Sequence, residues 1–172
     1  MQDNTRCIDT LEGYRIDKEG VWHKEFETNN NPSLWQRLLK YFGLYKCAGD
    51  ALTNYAINDL AVHTAGKYTY ASVGTSAASS TDYTLNELVS PVMARQLATI
   101  SYVSTYNTDP AYPDTVQYTI VITATESATL KEAGLHTTLT SGYMGSRQTF
   151  TDWVIASGES FAMVWKITYG RG

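Results

Sequence analysis

Ser160-Phe-Ala-Met-Val-Trp-Lys-Ile-Thr-Tyr169 (SFAMVWKITY) alternates without a break. Phe161, Met163, Trp165, Ile167 and Tyr169 fall on one side, and Ser160, Ala162, Val164, Lys166 and Thr168 on the other. Side chains of an extended strand point to opposite faces in turn, so this period of two marks a strand with one face on a core. Residues 116–125 (VQYTIVITAT) repeat the pattern with β-branched and aromatic residues, placing Tyr118, Ile120, Ile122 and Ala124 inward together. Residues 96–106 (QLATISYVSTY) alternate as well, and residues 131–138 and 143–150 read as the arms of a hairpin around Thr140-Ser-Gly142. The intervening NTDPAYPDT (107–115) has the proline and aspartate content of a turn. Further upstream, Tyr68–Val73 and Ala61-Val62-His63 read as strands around a turn at Ala65-Gly66, and residues 74–82 (GTSAASSTD) as a loop without core content. Leu85 to Arg95 fits neither period, and Pro91 interrupts any helix there. Six to eight short strands with polar turns predict a mainly β chain, an antiparallel β-sandwich over residues 60–172.

Residues 1–59 differ in character and are expected to form an N-terminal arm and one short helix. In the first 31 residues Val21, Trp22 and Phe26 are isolated apolar points in a charged stretch. Tyr14–Ile16 can pair with Val21–His23 around Asp17-Lys-Glu-Gly20, and the same arm can dock on a neighbouring subunit. As an arm, it is expected to be removable with the sandwich left folded. The helix is predicted at about 33–46, with Ser33 as N-cap and Gln36 at capping-box spacing. Leu34, Leu38, Tyr41, Phe42 and Tyr45 make one apolar face, which Trp35 and Leu39 widen. Only Arg37, Lys40 and Lys46 add charge there, so the stripe suits packing on protein rather than a membrane surface.

Composition narrows the function. Charged residues are 17% of the chain, below the roughly 25% usual in soluble domains. Thirteen tyrosines against four phenylalanines favour surfaces that bury a ring and keep a hydroxyl near water, as subunit contacts do. A net charge of −4 with no Lys/Arg cluster argues against a nucleic-acid groove. No apolar run is long enough for membrane insertion, and residues 1–20 lack the apolar core of a signal peptide. Cys7 and Cys47 are accordingly expected to be reduced thiols of a protein made in a cytosol.

Chemistry-bearing patterns are sparse. His23, His63 and His136 have no metal-ligand spacing, no GxSxG elbow is present, and Gly66-Lys67 lacks the flanks of a phosphate loop. No cofactor or metal is expected. Glu126 and Glu132 are the carboxylates placed for glycan cleavage near strand ends. Glu132 and Arg147, however, fall on opposite arms of the predicted hairpin, about equally far from its turn. A cross-strand ion pair that fixes register is the stronger reading, and an enzyme is not expected.

The order of features across residues 60–169 carries a resemblance. Val73-Gly-Thr75 precedes a polar stretch ending in Leu85 and Glu87, and Arg95 opens a strand. A Thr/Ile-rich strand leads to Lys131-Glu-Ala-Gly-Leu135, then Met144-Gly-Ser-Arg147-Gln-Thr-Phe150, then Ser157-Gly158 before Met163-Val-Trp-Lys-Ile167. This succession resembles small β-sandwich structural proteins encoded in the morphogenesis clusters of tailed bacteriophages. The resemblance implies a virion component (head decoration, neck, tail or fibre attachment) that contacts portal, capsid, neck or tail subunits and forms homo-oligomers. Trp22, Phe26, Trp35, Tyr112 and Tyr143 are the candidate interface residues. The alternative is a receptor- or carbohydrate-binding module of a tail fibre or spike, in which Tyr112 and Tyr143 stack on sugar rings.

Overall fold

The computed structural model describes residues 5–30, 54–78, 86–105, 110–111 and 113–171. The predicted helix at 33–46 with Trp35, and also Tyr112, lie outside them. The described strands are β1 (Thr5–Ile16), β2 (Trp22–Asn30), β3 (Tyr70–Gly74), β4 (Gln96–Leu97), β5 (Thr99–Val103), β6 (Thr115–Thr123), β7 (Ala128–His136), β8 (Met144–Ile155) and β9 (Ser160–Arg171). One helix, α1 (Asn54–Lys67), precedes β3. The strands form a five-stranded sheet, β2-β1-β9-β6-β5, and a four-stranded sheet, β4-β3-β7-β8, with every pairing antiparallel. The expected β-sandwich is the fold.

The two most regular segments of the sequence occupy adjacent places in the larger sheet. β9 pairs with β6 on one side, and Tyr118, Ile120, Ile122, Phe161, Met163, Trp165, Ile167 and Tyr169 are all buried. Leu130, Ala133, Leu135, Trp153 and Ile155 meet them from the smaller sheet. The second face of β9 is less polar in its surroundings than alternation implies, because Ala162 and Val164 are also buried. Both are small, and they lie beside Tyr14 and Glu12 of β1 in the register.

The other neighbour of β9 is β1, which runs beside it from Thr5↔Arg171 to Ile16↔Ser160. Residues 5–30 are therefore not an appendage, and the division at residue 59 does not follow the strand pairing. The Tyr14–Ile16/Val21–His23 hairpin does form, with Asp17 accepting hydrogen bonds from the Glu19 and Val21 amides at its turn. It continues well beyond those residues. Leu11 is fully buried opposite Trp165. Phe26 stacks on Phe150 of β8 with ring centroids 4.3 Å apart, and meets Trp153 edge-on at 5.2 Å. A Cβ at Gly13 would stand 2.1 Å from the Phe26 ring, so glycine there lets the ring lie across β1. Phe26 thus closes one margin of the sandwich instead of standing free for a partner. Thr28 joins the same closure through a hydrogen bond to the Gln148 side chain.

At the other margin the chain turns a corner. Ala98 separates β4 in one sheet from β5 in the other, and its amide donates to the Thr69 carbonyl at 2.8 Å.

The Ala61-Val62-His63 strand expectation is overturned, since these residues lie within α1. Ile57, Ala61, Thr64, Ala65 and Tyr68 recur at three- and four-residue steps and are buried, while Val62 and His63 face outward. Small alanines allow the helix to lie close to the sheet. The Tyr118 hydroxyl donates to the Thr64 carbonyl at 2.9 Å, and the Thr64 and Tyr169 hydroxyls share a hydrogen bond.

Removing residues 1–31 strips β9 of one neighbour along its whole length and uncovers the Leu11–Trp165 contact. The truncated chain is expected to lose its cooperative thermal transition, followed by near-ultraviolet circular dichroism. A native-like transition in that truncation would contradict the β1–β9 pairing.

Candidate functional site

The densest cluster of buried polar groups lies on the face of the four-stranded sheet that is turned away from the core. Alternation in β7 puts Ala133 and Leu135 inward, leaving Glu132, Gly134 and His136 on the opposite face. Residue pairing brings Ser72 of β3 and Arg147 of β8 to either side of Gly134. Of residues 86–95, which matched no period in the sequence, Leu88, Val89 and Ser90 lie over this face, and the chain then runs on beside β3 toward β4. The Thr75 amide donates to the Ser90 carbonyl at 2.9 Å, and the Val92 amide to the Val73 carbonyl at 3.1 Å. Gly74 forms a bridge with Pro91.

The crossing segment needs glycine beneath it. A Cβ at Gly74 would lie 2.5 Å from the Ser90 carbonyl oxygen, and one at Gly134 would lie 3.0 Å from Leu88 and 2.8 Å from the Met144 sulfur. The close approach is by backbone at Gly74 and by the Leu88 and Met144 side chains at Gly134.

Glu132 is the centre of the cluster, and none of its surface is exposed. Its Oε2 accepts from Arg147 Nε at 2.8 Å and lies 2.7 Å from Arg147 Nη2. Its Oε1 accepts from the Ser90 amide at 2.8 Å, and the Val89 amide approaches Oε2 at 3.3 Å. Arg147, itself buried, also donates to the Ala78 carbonyl at 3.0 Å. The pair is diagonal in the ladder, because Glu132 stands opposite Thr149 and Arg147 opposite Gly134. Four donors converge on a single carboxylate, so its lone pairs are occupied by the fold. A buried ion pair of this kind fixes one register and one seating of the covering segment more than it adds net stability.

Two further contacts complete the layer. Arg95, at the end of the crossing segment, donates to the Thr138 and Ser141 carbonyls at 2.8 and 3.0 Å and pairs with Glu87 at 2.6 Å. It thereby ties the segment to the β7–β8 turn, where Gly142 takes the positive φ of 96°. Ser72 Oγ and His136 Nε2 share a buried hydrogen bond of 2.8 Å, whereas His136 Nδ1 is buried without a partner. Burial foremost, with the positive charge of Arg95, pushes the His136 imidazole down to about 4 despite an opposing effect of Glu87. The Ser–His contact resembles half of a nucleophile–base pair, but among the described residues no third group orients the imidazole.

The remaining sequence candidates are scattered. Glu126 is exposed in the β6–β7 connection, away from the covered face that holds Glu132. Trp22 is 42% exposed beside Tyr14, with ring centroids 5.7 Å apart, and Tyr143 is 69% exposed at the β7–β8 turn. His23 bonds Asp17 at 2.8 Å on the surface. Among the described residues no three His, Cys, Asp or Glu side chains are grouped to hold a metal ion. Sequence reading missed a second charged cluster, on the outer face of the five-stranded sheet. There Glu12 accepts from Lys24 and Lys166, each at 2.9 Å, and from the Tyr14 hydroxyl at 3.1 Å. Burial alone would raise the Glu12 carboxyl, but the two lysine hydrogen bonds hold it below its ordinary value. The paired residues are distant in sequence, and only the β2-β1-β9 order brings them together.

The chain matches no protein-family model, no curated protein and no solved structure.

Replacing Glu132 by Gln leaves Arg147 buried without a counter-charge and is expected to cost about 3–5 kcal/mol in denaturant unfolding. The double variant E132Q/R147M should recover part of that loss, and equal stability of E132Q and wild type would contradict the clamp. Burial of neutral His136 has a defined pH signature. Above about pH 6.5 both states are neutral and stability is complete. Below it the unfolded chain takes up a proton that the folded imidazole declines until pH is about 4. Stability therefore falls as pH drops through that window, by on the order of 3 kcal/mol in total. The difference between the stability curves of wild type and H136Q isolates this effect, and parallel curves would exclude it.

Proposed function

We propose that this chain is a non-enzymatic structural component of a tailed-phage virion, making subunit–subunit contacts at the head, neck or tail. The observation that carries the reading is the saturation of Glu132. Its position suits catalysis by sequence, yet four donors hold it beneath the crossing segment. Function then falls to the surface, where Trp22, Leu97, Val121, Tyr143 and Val154 are large apolar side chains between 42% and 69% exposed. Repeated weak contacts of this kind suffice in an assembly of many copies. The motif order across residues 60–169 supplies the virion context. Synthesis in the host cytoplasm and incorporation beside portal, capsid, neck or tail subunits follow from that context.

A second reading is favoured by one observation. Tyr143 projects from a hairpin tip at 69% exposure, a position from which a ring can stack on a sugar. In that case the chain is a carbohydrate-binding module of a fibre or spike.

Cryo-electron microscopy of particles produced from the genome that encodes the chain tests the first reading. Symmetric density for the chain is expected, and Trp22→Ala/Tyr143→Ala should lower incorporation at least about tenfold without shifting the melting temperature. Particles that lack the chain would overturn the reading. Glycan binding by the purified chain that Tyr143→Ala abolishes would favour the second.

A further inference from the structure

The edges of the two sheets are treated unequally. An edge strand presents unpaired amides and carbonyls, and folds usually guard it with charge, proline, bulges or a covering element. β2 bears Lys24, Glu25 and Glu27 and meets β8 through Phe26 and Phe150. β8, the margin of the other sheet, is engaged by that same contact, and its pairing with β7 is broken by two register shifts. β4 is two residues long. Among the described residues the fourth edge, β5, has none of these guards. From Gln96 to Thr105 the sequence contains no charge and no proline, and the β5–β6 register runs without a shift. Tyr102 and Val103 along it are 45% and 40% exposed.

The strand is also complementary to itself. Ile100 and Tyr102 stand opposite Tyr118 and Val116 and share the core-side face, while Thr99, Ser101 and Val103 share the other. Laid antiparallel against a second copy about an axis through Ser101, Ile100 of each copy faces Tyr102 of the other. Thr99 likewise faces Val103, and Ser101 faces Ser101. Aromatic–β-branched cross-strand pairs are among the favourable ones. Tyr102 is 45% exposed, so among the described residues its ring is available to cover a neighbour.

We propose that the β5 edge joins two copies of this chain, β5 to β5 antiparallel about a two-fold axis at Ser101, merging two five-stranded sheets into one. The contact rests on the reading of the chain as an assembly subunit and specifies one surface of it. A strand of five residues gives a modest interface, suited to contacts that many copies reinforce.

Charge at the axis tests both the edge and the register. In S101K two ammonium groups face each other, in S101E two carboxylates, and in an equimolar mixture one of each. Sedimentation equilibrium of the full chain at about 100 µM should show dimer for wild type, association weakened at least about tenfold toward monomer in each variant, and dimer again in the mixture. Amide exchange at Thr99–Val103 in the wild type should slow as concentration rises, which decides the matter even if a variant fails to fold. Wild type that remains monomeric with concentration-independent exchange overturns the proposal. So do variants that dimerise as wild type does. In that last case another surface forms the dimer and the assembly reading stands, whereas its failure would be seen as particles lacking the chain.

Discussion

The pairing of β9 with β1 on one side and β6 on the other is the constraint from which the rest of the structure follows. One face of the strand is apolar from Phe161 to Tyr169, Ala162 and Val164 are buried on the other, and Trp165, one of the largest fully buried side chains, lies near its centre. Apolar burial contributes about 25 cal/mol per Å², so a strand with both edges paired and both faces largely covered is where the fold's driving force is concentrated. One of its neighbours, β1, comes from the other end of the sequence. Closing that long loop costs conformational entropy that no local contact offsets, so the sheet forms cooperatively or not at all. Once β1 is in place, β2 follows through its hairpin and brings Phe26 against Phe150 to join the sheets.

The polar layer solves a different problem. Part of the second face of the four-stranded sheet is covered by residues from 86–95, a segment with irregular backbone in which Leu88 is buried and Val92 and Met93 pack against the core. Irregular backbone can be buried only if its amides find acceptors. The Glu132 carboxylate accepts from the Ser90 and Val89 amides, and Arg147 balances its charge. Gly74 and Gly134 make the room. The same groups that look suited to chemistry in a linear reading are thus engaged in holding a covering segment.

What the sequence made legible was decided by contrast between faces. β6 and β9 announce themselves because one face of each is apolar at every second residue, and the Glu132–Arg147 pair is readable from its place on opposite arms of the hairpin, although the register makes it diagonal. β1 and β2 are legible only near their turn. Glu12, Lys24 and Glu27 face outward, while Gly13 and Thr28 occupy inward positions that a larger apolar residue would normally mark. α1 escapes a local reading because Ala61-Val62-His63 suits a strand in isolation, and the spacing from Ile57 to Tyr68 shows only over a longer window. The crossing segment has no period at all. Its place is dictated by Glu132, more than forty residues away, and no local pattern encodes that.

Native-state hydrogen exchange tests most directly whether the chain's first strand belongs to this single cooperative body. The amides of Leu11, Tyr118 and Trp165 should exchange only through global unfolding, with the same free energy and the same dependence on denaturant. If the Leu11 amide instead exchanges through a separate opening of much lower free energy while Tyr118 and Trp165 remain protected, β1 is an arm laid on a finished sandwich, and β9 does not depend on it.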